Sequence, residues 1–171
     1  MKFPCPTCGQ ATRAIKPITP RSLLSEIARS QVVSFDGFRF CPSTSCELLY
    51  FQPETNLVLG TDTVTTPVFQ KSTKATRLVC YCFEHSVSEV RQEAAQPGDS
   101  RIVQSITDKC RKGEDRCEET NPQGSCCLGN VRAVIRQTRA DQGLAQASAE
   151  LASEPHCCNA RCEAKPKAEE N

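Results

Sequence analysis

The chain has 171 residues, of which 38% are apolar, and a formal net charge of +1. That balance supplies no global field to draw it to nucleic acid or an anionic membrane, so neither a nucleic-acid partner nor membrane insertion is expected. Aromatic residues make up only 5%, Trp is absent and Cys reaches 13, a composition in which a thin core needs a metal or covalent staple.

No apolar run approaches the roughly 18 residues that cross a bilayer, and Met1-Lys2-Phe3-Pro4-Cys5 lacks the apolar stretch of a secretory signal. A cytoplasmic location is therefore expected. In a reducing compartment dense cysteines point to metal ligation, with a disulfide-stapled secreted protein as the alternative.

In chain order, Leu23, Leu24 and Ile27 follow Thr19-Pro20 at helical spacing, with Thr19 as cap and Pro20 at the first helical position. Val33 to Phe40 alternates apolar and polar residues around Asp36-Gly37, which predicts a hairpin with a two-residue turn. Strands are expected at Glu47 to Phe51, Leu57 to Leu59 and Val64 to Phe69. The pattern then becomes helical. Ser86 and Glu89 have capping-box spacing ahead of Val87, Val90 and Ala94. Ile102, Val103, Ile106 and Cys110 share one face of a second helix, and Leu128, Val131, Val134, Ile135 and Thr138 one face of a third. Gln96-Pro97-Gly98-Asp99 breaks the chain between the first two. The expected class is α+β: a small β-rich unit over residues 1–72, a small helical unit over 73–141, and a disordered, Cys-containing tail over 142–171.

Two cysteine constellations carry chemistry. Cys5-Pro6-Thr7-Cys8-Gly9 and Cys41-Pro42-Ser43-Thr44-Ser45-Cys46 each offer a hook of two thiolates, and two hooks make a tetrahedral S4 site suited to Zn²⁺, the usual occupant of structural sites, or to a single iron, the alternative being unligated thiols or a disulfide. Gly9 supplies the positive φ that a Cys-x2-Cys turn uses. Such a site is expected to fold the N-terminal unit, because metal-binding free energy becomes folding free energy where the core is thin. The second constellation is Cys80-Tyr81-Cys82, Cys117 and Cys126-Cys127. Cys-x-Cys does not clamp one zinc in a relaxed knuckle, whereas a [2Fe–2S] rhomb accepts four thiolates from loops at helix ends. Cys127 would sit at the N-terminal dipole of the third helix, which favours a thiolate. Cys110, on an apolar helix face, reads as a core residue.

The stretch Val79-Cys80-Tyr81-Cys82-Phe83, with Cys117 and Asn121-Pro122-Gln123-Gly124-Ser125-Cys126-Cys127-Leu128-Gly129, resembles the iron–sulfur part of CopZ-type copper chaperones, itself similar to bacterioferritin-associated ferredoxins. The earlier pattern, Cys5-x2-Cys8-Gly9 and Phe40-Cys41-Pro42 leading to Cys46, resembles the zinc-binding domain that precedes it in that family. The resemblance implies a β-rich zinc unit packed on a helical [2Fe–2S] unit and a role in copper handling that includes reducing Cu(II) to Cu(I). It implies zinc ligands Cys5, Cys8, Cys41 and Cys46, and cluster ligands Cys80, Cys82, Cys117 and one member of the Cys126/Cys127 pair, with Cys127 preferred. Fused CopZ chaperones continue into a heavy-metal-associated domain with a Cys-x2-Cys copper loop, and no counterpart is expected here.

In its place stand His156-Cys157-Cys158 and Cys162 in the polar tail. Thiolates with an imidazole suit Cu⁺ or a similar thiophilic ion, the alternative being incidental cysteines in a disordered end. His85, beside the cluster loop, either tunes the cluster through a hydrogen bond or is a solvated loop residue. Arg132, Arg136 and Arg139 are expected to form a solvated helix face rather than a DNA patch. Phosphate-cradling, dinucleotide-binding and zinc-protease motifs are absent. The expected function is that of an iron–sulfur and zinc protein transferring one electron at a time in copper and metal homeostasis, without enzymatic activity. Its expected partners are metal ions and a copper transporter or redox protein. The alternative is a zinc-binding adaptor for protein interactions.

Overall fold

In the computed structural model, residues 3–143 are described. They form an antiparallel four-stranded sheet with two short helices, followed by a two-stranded ribbon and four helices. The sheet has the order β1 (Arg13–Ala14), β2 (Arg39–Phe40), β3 (Leu48–Gln52) and β4 (Leu57–Gly60). β3 is buried along all five residues, because it feeds two cores. Leu49 and Tyr50 pack with Phe38, Phe40 and Leu24, while Leu48 and Phe51 pack against Cys5, Cys41 and Cys46. This explains why Leu48 to Phe51 reads as an unbroken apolar run rather than an alternation. A register shift between Leu48 and Tyr50 in the pairing with β4 accompanies the split.

The helix predicted through Leu23, Leu24 and Ile27 is two helices, α1 (Ile18–Leu23) and α2 (Glu26–Ser30). Leu24 between them is extended and bridges Val64, so the helical phase restarts at Ser25, whose hydroxyl accepts from Ala28 N. Ile27 consequently faces solvent. Thr19 is not a cap: it lies inside α1, and its hydroxyl donates to Glu118 O at 2.6 Å. The hairpin predicted across Val33–Phe40 does not form. Asp36-Gly37 turns as expected, with Gly37 at φ +75°, but Gln52 Nε2 donates to Ser34 O and Asp36 O at 2.7 and 2.6 Å. These bonds occupy backbone acceptors that a ladder would use, and Arg39–Phe40 pairs instead with Arg13–Ala14 and with β3. The strand predicted at Val64–Phe69 is reduced to the Val64 bridge and a 3₁₀ turn at Phe69–Lys71.

The second half opens with the ribbon β5 (Leu78–Cys80) and β6 (His85–Ser86), which helical periodicity concealed. The helices α3 (Val87–Ala94), α4 (Arg101–Arg111), α5 (Cys117–Thr120) and α6 (Leu128–Asp141) follow. The Ser86/Glu89 capping box of α3 is present in both directions. Val87, Val90, Val103, Ile106, Val131 and Ile135 meet in one core, joined by Cys110 as the periodicity predicts. Arg136 is exposed, but Arg139 is tied down, its Nη2 donating to Gly98 O at 2.6 Å.

The halves are joined through the loop around α5. Tyr50 Oη donates to Pro122 O at 2.7 Å, Lys16 Nζ meets Glu118 Oε1 at 2.5 Å, and Gly124 lies against Ile15 and Thr19. Gln70 Nε2 donates to Gln123 Oε1 at 2.7 Å, and Tyr81, the residue between Cys80 and Cys82 in sequence, donates its hydroxyl to Pro67 O at 2.9 Å and accepts from Phe69 N at 2.8 Å.

Candidate metal centres

Gly9, at φ +71°, turns the first hook so that its N–H donates to Cys5 O at 2.9 Å and the Cys5 N–H to Gln10 O at 2.8 Å. β2 and β3 deliver the second hook, with Cys41 directly after Phe40 and Cys46 just ahead of Leu48. The four sulfurs of Cys5, Cys8, Cys41 and Cys46 all lie within 4.8 Å of one another. Cys5 and Cys46 are 3.9 Å apart, Cys8 and Cys41 3.7 Å. A Zn–S bond of about 2.3 Å in a tetrahedron requires S···S edges of about 3.8 Å, so the donor set fits Zn²⁺.

Its electrostatics also call for a cation. Gln10, Ser43 and Leu48 each offer a backbone N–H to the sulfur two residues before. The Gln10 N–H brings the exposed Cys8 thiol down to about 7, whereas burial pushes Cys41 up to about 12 and raises Cys46. Four thiolates this close repel one another, and a divalent ion at their centre relieves that repulsion. Lys71 reaches the same loop, its Nζ donating to Ser43 O at 2.5 Å and Cys46 O at 2.8 Å. Sequence reasoning did not identify Lys71, which lies in a 3₁₀ turn far from either hook.

The second set is strung out rather than gathered into one tetrahedron, with Cys126 in contact with both Cys117 and Cys127. Cys82 Sγ is 3.5 Å from Cys117 Sγ, while Cys80 at the end of β5 interacts with Cys127 at the head of α6. Contact with Cys117 pulls the Cys82 thiol down to about 6, helped by the Thr120 hydroxyl and by the Arg116 N–H at 3.3 Å. Contact with Cys127 lowers Cys80. Contact with Cys126 raises Cys117 and Cys127. Two pairs of thiolates, one per iron, are what a [2Fe–2S] rhomb takes, so the donor set fits that group as well.

His85 is not a solvated loop residue: it is half-buried in β6 opposite Cys80, and its Nε2 is shut from solvent without a hydrogen-bond partner among the described residues. His156, Cys157, Cys158 and Cys162 lie outside the described residues. Asn121 and Gln123, both buried, anchor the loop that carries Cys126 and Cys127. Sequence reasoning did not identify these two amides as buried anchors.

Residues 2–65 match the family of CopZ zinc binding domains. The chain is 31% identical over 123 residues to the copper chaperone CopZ of Archaeoglobus fulgidus, an alignment that covers 72% of this chain. It spans 57% of that relative's length. The crystal structure of the Archaeoglobus fulgidus CopZ N-terminal domain superimposes with a TM-score of 0.64 at 27% identity, covering 77% of this chain and 97% of that one.

The chain is similar to the CopZ N-terminal domain.

The expected α+β class therefore holds, and the expected resemblance holds for its zinc-binding part, where residues 2–65 match the CopZ zinc-binding family. Among the described residues no helix is long and apolar enough to cross a membrane.

Proposed function

We propose that the protein is a CopZ-like electron-transfer module rather than an enzyme, with Zn²⁺ held by Cys5, Cys8, Cys41 and Cys46 and a [2Fe–2S] cluster held by Cys80, Cys82, Cys117 and Cys127. The observation that carries the second centre is the convergence of its thiols, Cys82 beside Cys117 and Cys80 beside Cys127, with Cys126 in contact with both Cys117 and Cys127. When bound, the cluster supplies a one-electron couple. The chain's own part is to hold the sulfurs. Cys80 and Cys82 enter from the ribbon and its turn, Cys117 from the start of α5, and Cys127 from the N-terminus of α6, where the helix dipole favours negative charge. The Arg116 N–H is placed to donate to a Cys82 thiolate, which would draw electron density from the sulfur and raise the potential of a bound cluster. The zinc site is structural: four protein thiolates close the coordination sphere and leave no position for a substrate.

The link to copper rests on similarity to a protein named a copper chaperone. On the proposed reading Cu(II) is the electron acceptor, reduced to Cu(I) in a reducing cytoplasm, a copper transporter or redox protein is the partner, and Cu⁺ is carried by residues 156–162, which lie outside the described residues.

Anaerobic reconstitution followed by metal analysis tests the reading. Wild-type protein is expected to hold zinc and iron together and to show the EPR signal of a reduced [2Fe–2S] cluster. Cys82→Ala should lose the iron and keep the zinc. Loss of a second zinc instead would favour an adaptor with two zinc sites. Failure of the reduced protein to reduce Cu(II), together with no Cu(I) uptake, would remove the copper link.

A further inference from the structure

Five cysteines converge on the second centre, one more than a [2Fe–2S] rhomb uses, and the fifth is not in a slack loop. The Cys126 side chain touches both Cys117 and Cys127, which places it between the two pairs. Its backbone is held on both sides: Asn121 Nδ2 and Gln123 Nε2 donate to Ser125 O at 2.8 and 3.2 Å, and Gln123 Nε2 donates to Cys126 O at 2.9 Å. The two amides are themselves buried and cross-linked, with Asn121 Oδ1 accepting from Gln123 N and Gln123 Oε1 accepting from Gln70 and Asn130. Burying two amides is unfavourable unless their bonds are made, and the bonds made here fix the direction in which residue 126 leaves the chain. Cys126 is half-buried, as is Cys82, whereas Cys80, Cys117 and Cys127 are buried. It therefore occupies the solvent rim of the centre.

We propose that Cys126 is a reserve ligand that exchanges with Cys127 on the iron shared with Cys80. This rests on the cluster reading above. In the exchange the Cys126 thiol gives its proton to solvent and forms an S–Fe bond, while the Cys127–Fe bond breaks and that sulfur takes up a proton. Neither iron changes oxidation state. The thiol left over is Cys126 at the rim in one form and Cys127 in the interior in the other.

Alanine variants avoid the oxygen ligand that serine would supply. Cys126→Ala, Cys127→Ala and the double variant are reconstituted anaerobically beside wild type, with zinc content as the measure of folding. Both single variants are expected to keep two irons per zinc, Cys127→Ala with shifted visible absorption maxima and faster loss of iron to a chelator, and the double variant to lose the iron. In iron-loaded wild type, iodoacetamide should modify Cys126 ahead of the other four. If Cys127→Ala loses iron while keeping zinc, Cys126 is a bystander and the proposal falls. It falls equally if the double variant keeps its iron, if Cys126→Ala alone loses it, or if Cys126 is as protected as Cys80. Wild type that takes up zinc but no iron would defeat the cluster reading itself, and this inference with it.

Discussion

The Tyr50 hydroxyl offers a direct measure of how firmly the sheet holds the cluster loop. Tyr50 is fully buried in the sheet core, and its hydroxyl donates to Pro122 O at 2.7 Å, where Pro122 is also buried. Tyr50→Phe keeps the ring, its edge-on contact with Phe38 and nearly all the packing, but strands a carbonyl that water cannot reach. A buried acceptor left without a partner costs about 1–3 kcal/mol. With a urea m-value of about 2 kcal/mol/M, a loss near the middle of that range lowers the unfolding midpoint by roughly 1 M. The assay is urea unfolding of zinc-loaded, iron-free protein followed by circular dichroism. The same experiment has a pH signature. Burial holds the folded phenol pKa far above its ordinary value, so its stabilising share is complete below about pH 10 and is lost as the pH rises further, when the unfolded chain ionises first. The difference between wild type and Tyr50→Phe should therefore be flat from pH 6 to pH 9 and shrink above it. An unchanged midpoint at neutral pH would refute the claim that this bond ties the two halves together.

Gly124→Ala should destabilise more than Gly37→Ala in the same unfolding assay. Both glycines have positive φ, which costs a non-glycine residue about 1–2 kcal/mol, but a Cβ on Gly124 would lie 3.0 Å from both Ile15 Cγ2 and Thr19 Oγ1, while one on Gly37 meets nothing within 4 Å. Equal midpoints would show that the seam beside Gly124 yields freely. For Glu89, the Ser86 N–H at 2.7 Å and hydroxyl at 2.9 Å hold the carboxylate pKa below its usual value. Its contribution is present above the ordinary carboxylate pKa and disappears as the pH falls through the lowered one. The stability difference between wild type and Glu89→Gln should accordingly shrink on acidification, and a difference independent of pH would exclude the carboxylate as its source.

Local signals were readable where chemistry and spacing coincide. Two cysteine hooks with Gly9 foretold a four-sulfur site, and Ser86 with Glu89 foretold the start of α3, because each depends on residues a few positions apart. Helix α6 was legible from its apolar face, as was the placing of Cys127 at its head. Less legible was anything decided by a distant partner. Alternation around Asp36-Gly37 predicted a hairpin, but Gln52 and the strand Arg13–Ala14 outcompete the local pairing. The ribbon at Leu78–Ser86 was hidden because each strand is only two or three residues long.

The amino-acid sequence by itself determined the donor inventory: which residues carry sulfur, how the first four fall into two hooks, and which helix faces are apolar. Only the tertiary structure decided how the sulfurs group, bringing Cys82 beside Cys117 and Cys80 beside Cys127, and which buried groups aim them. The reason is physical. Ligand type and periodicity are properties of neighbouring residues, whereas the meeting of Tyr50 with Pro122 or Lys71 with Cys46 depends on how the whole chain closes on itself.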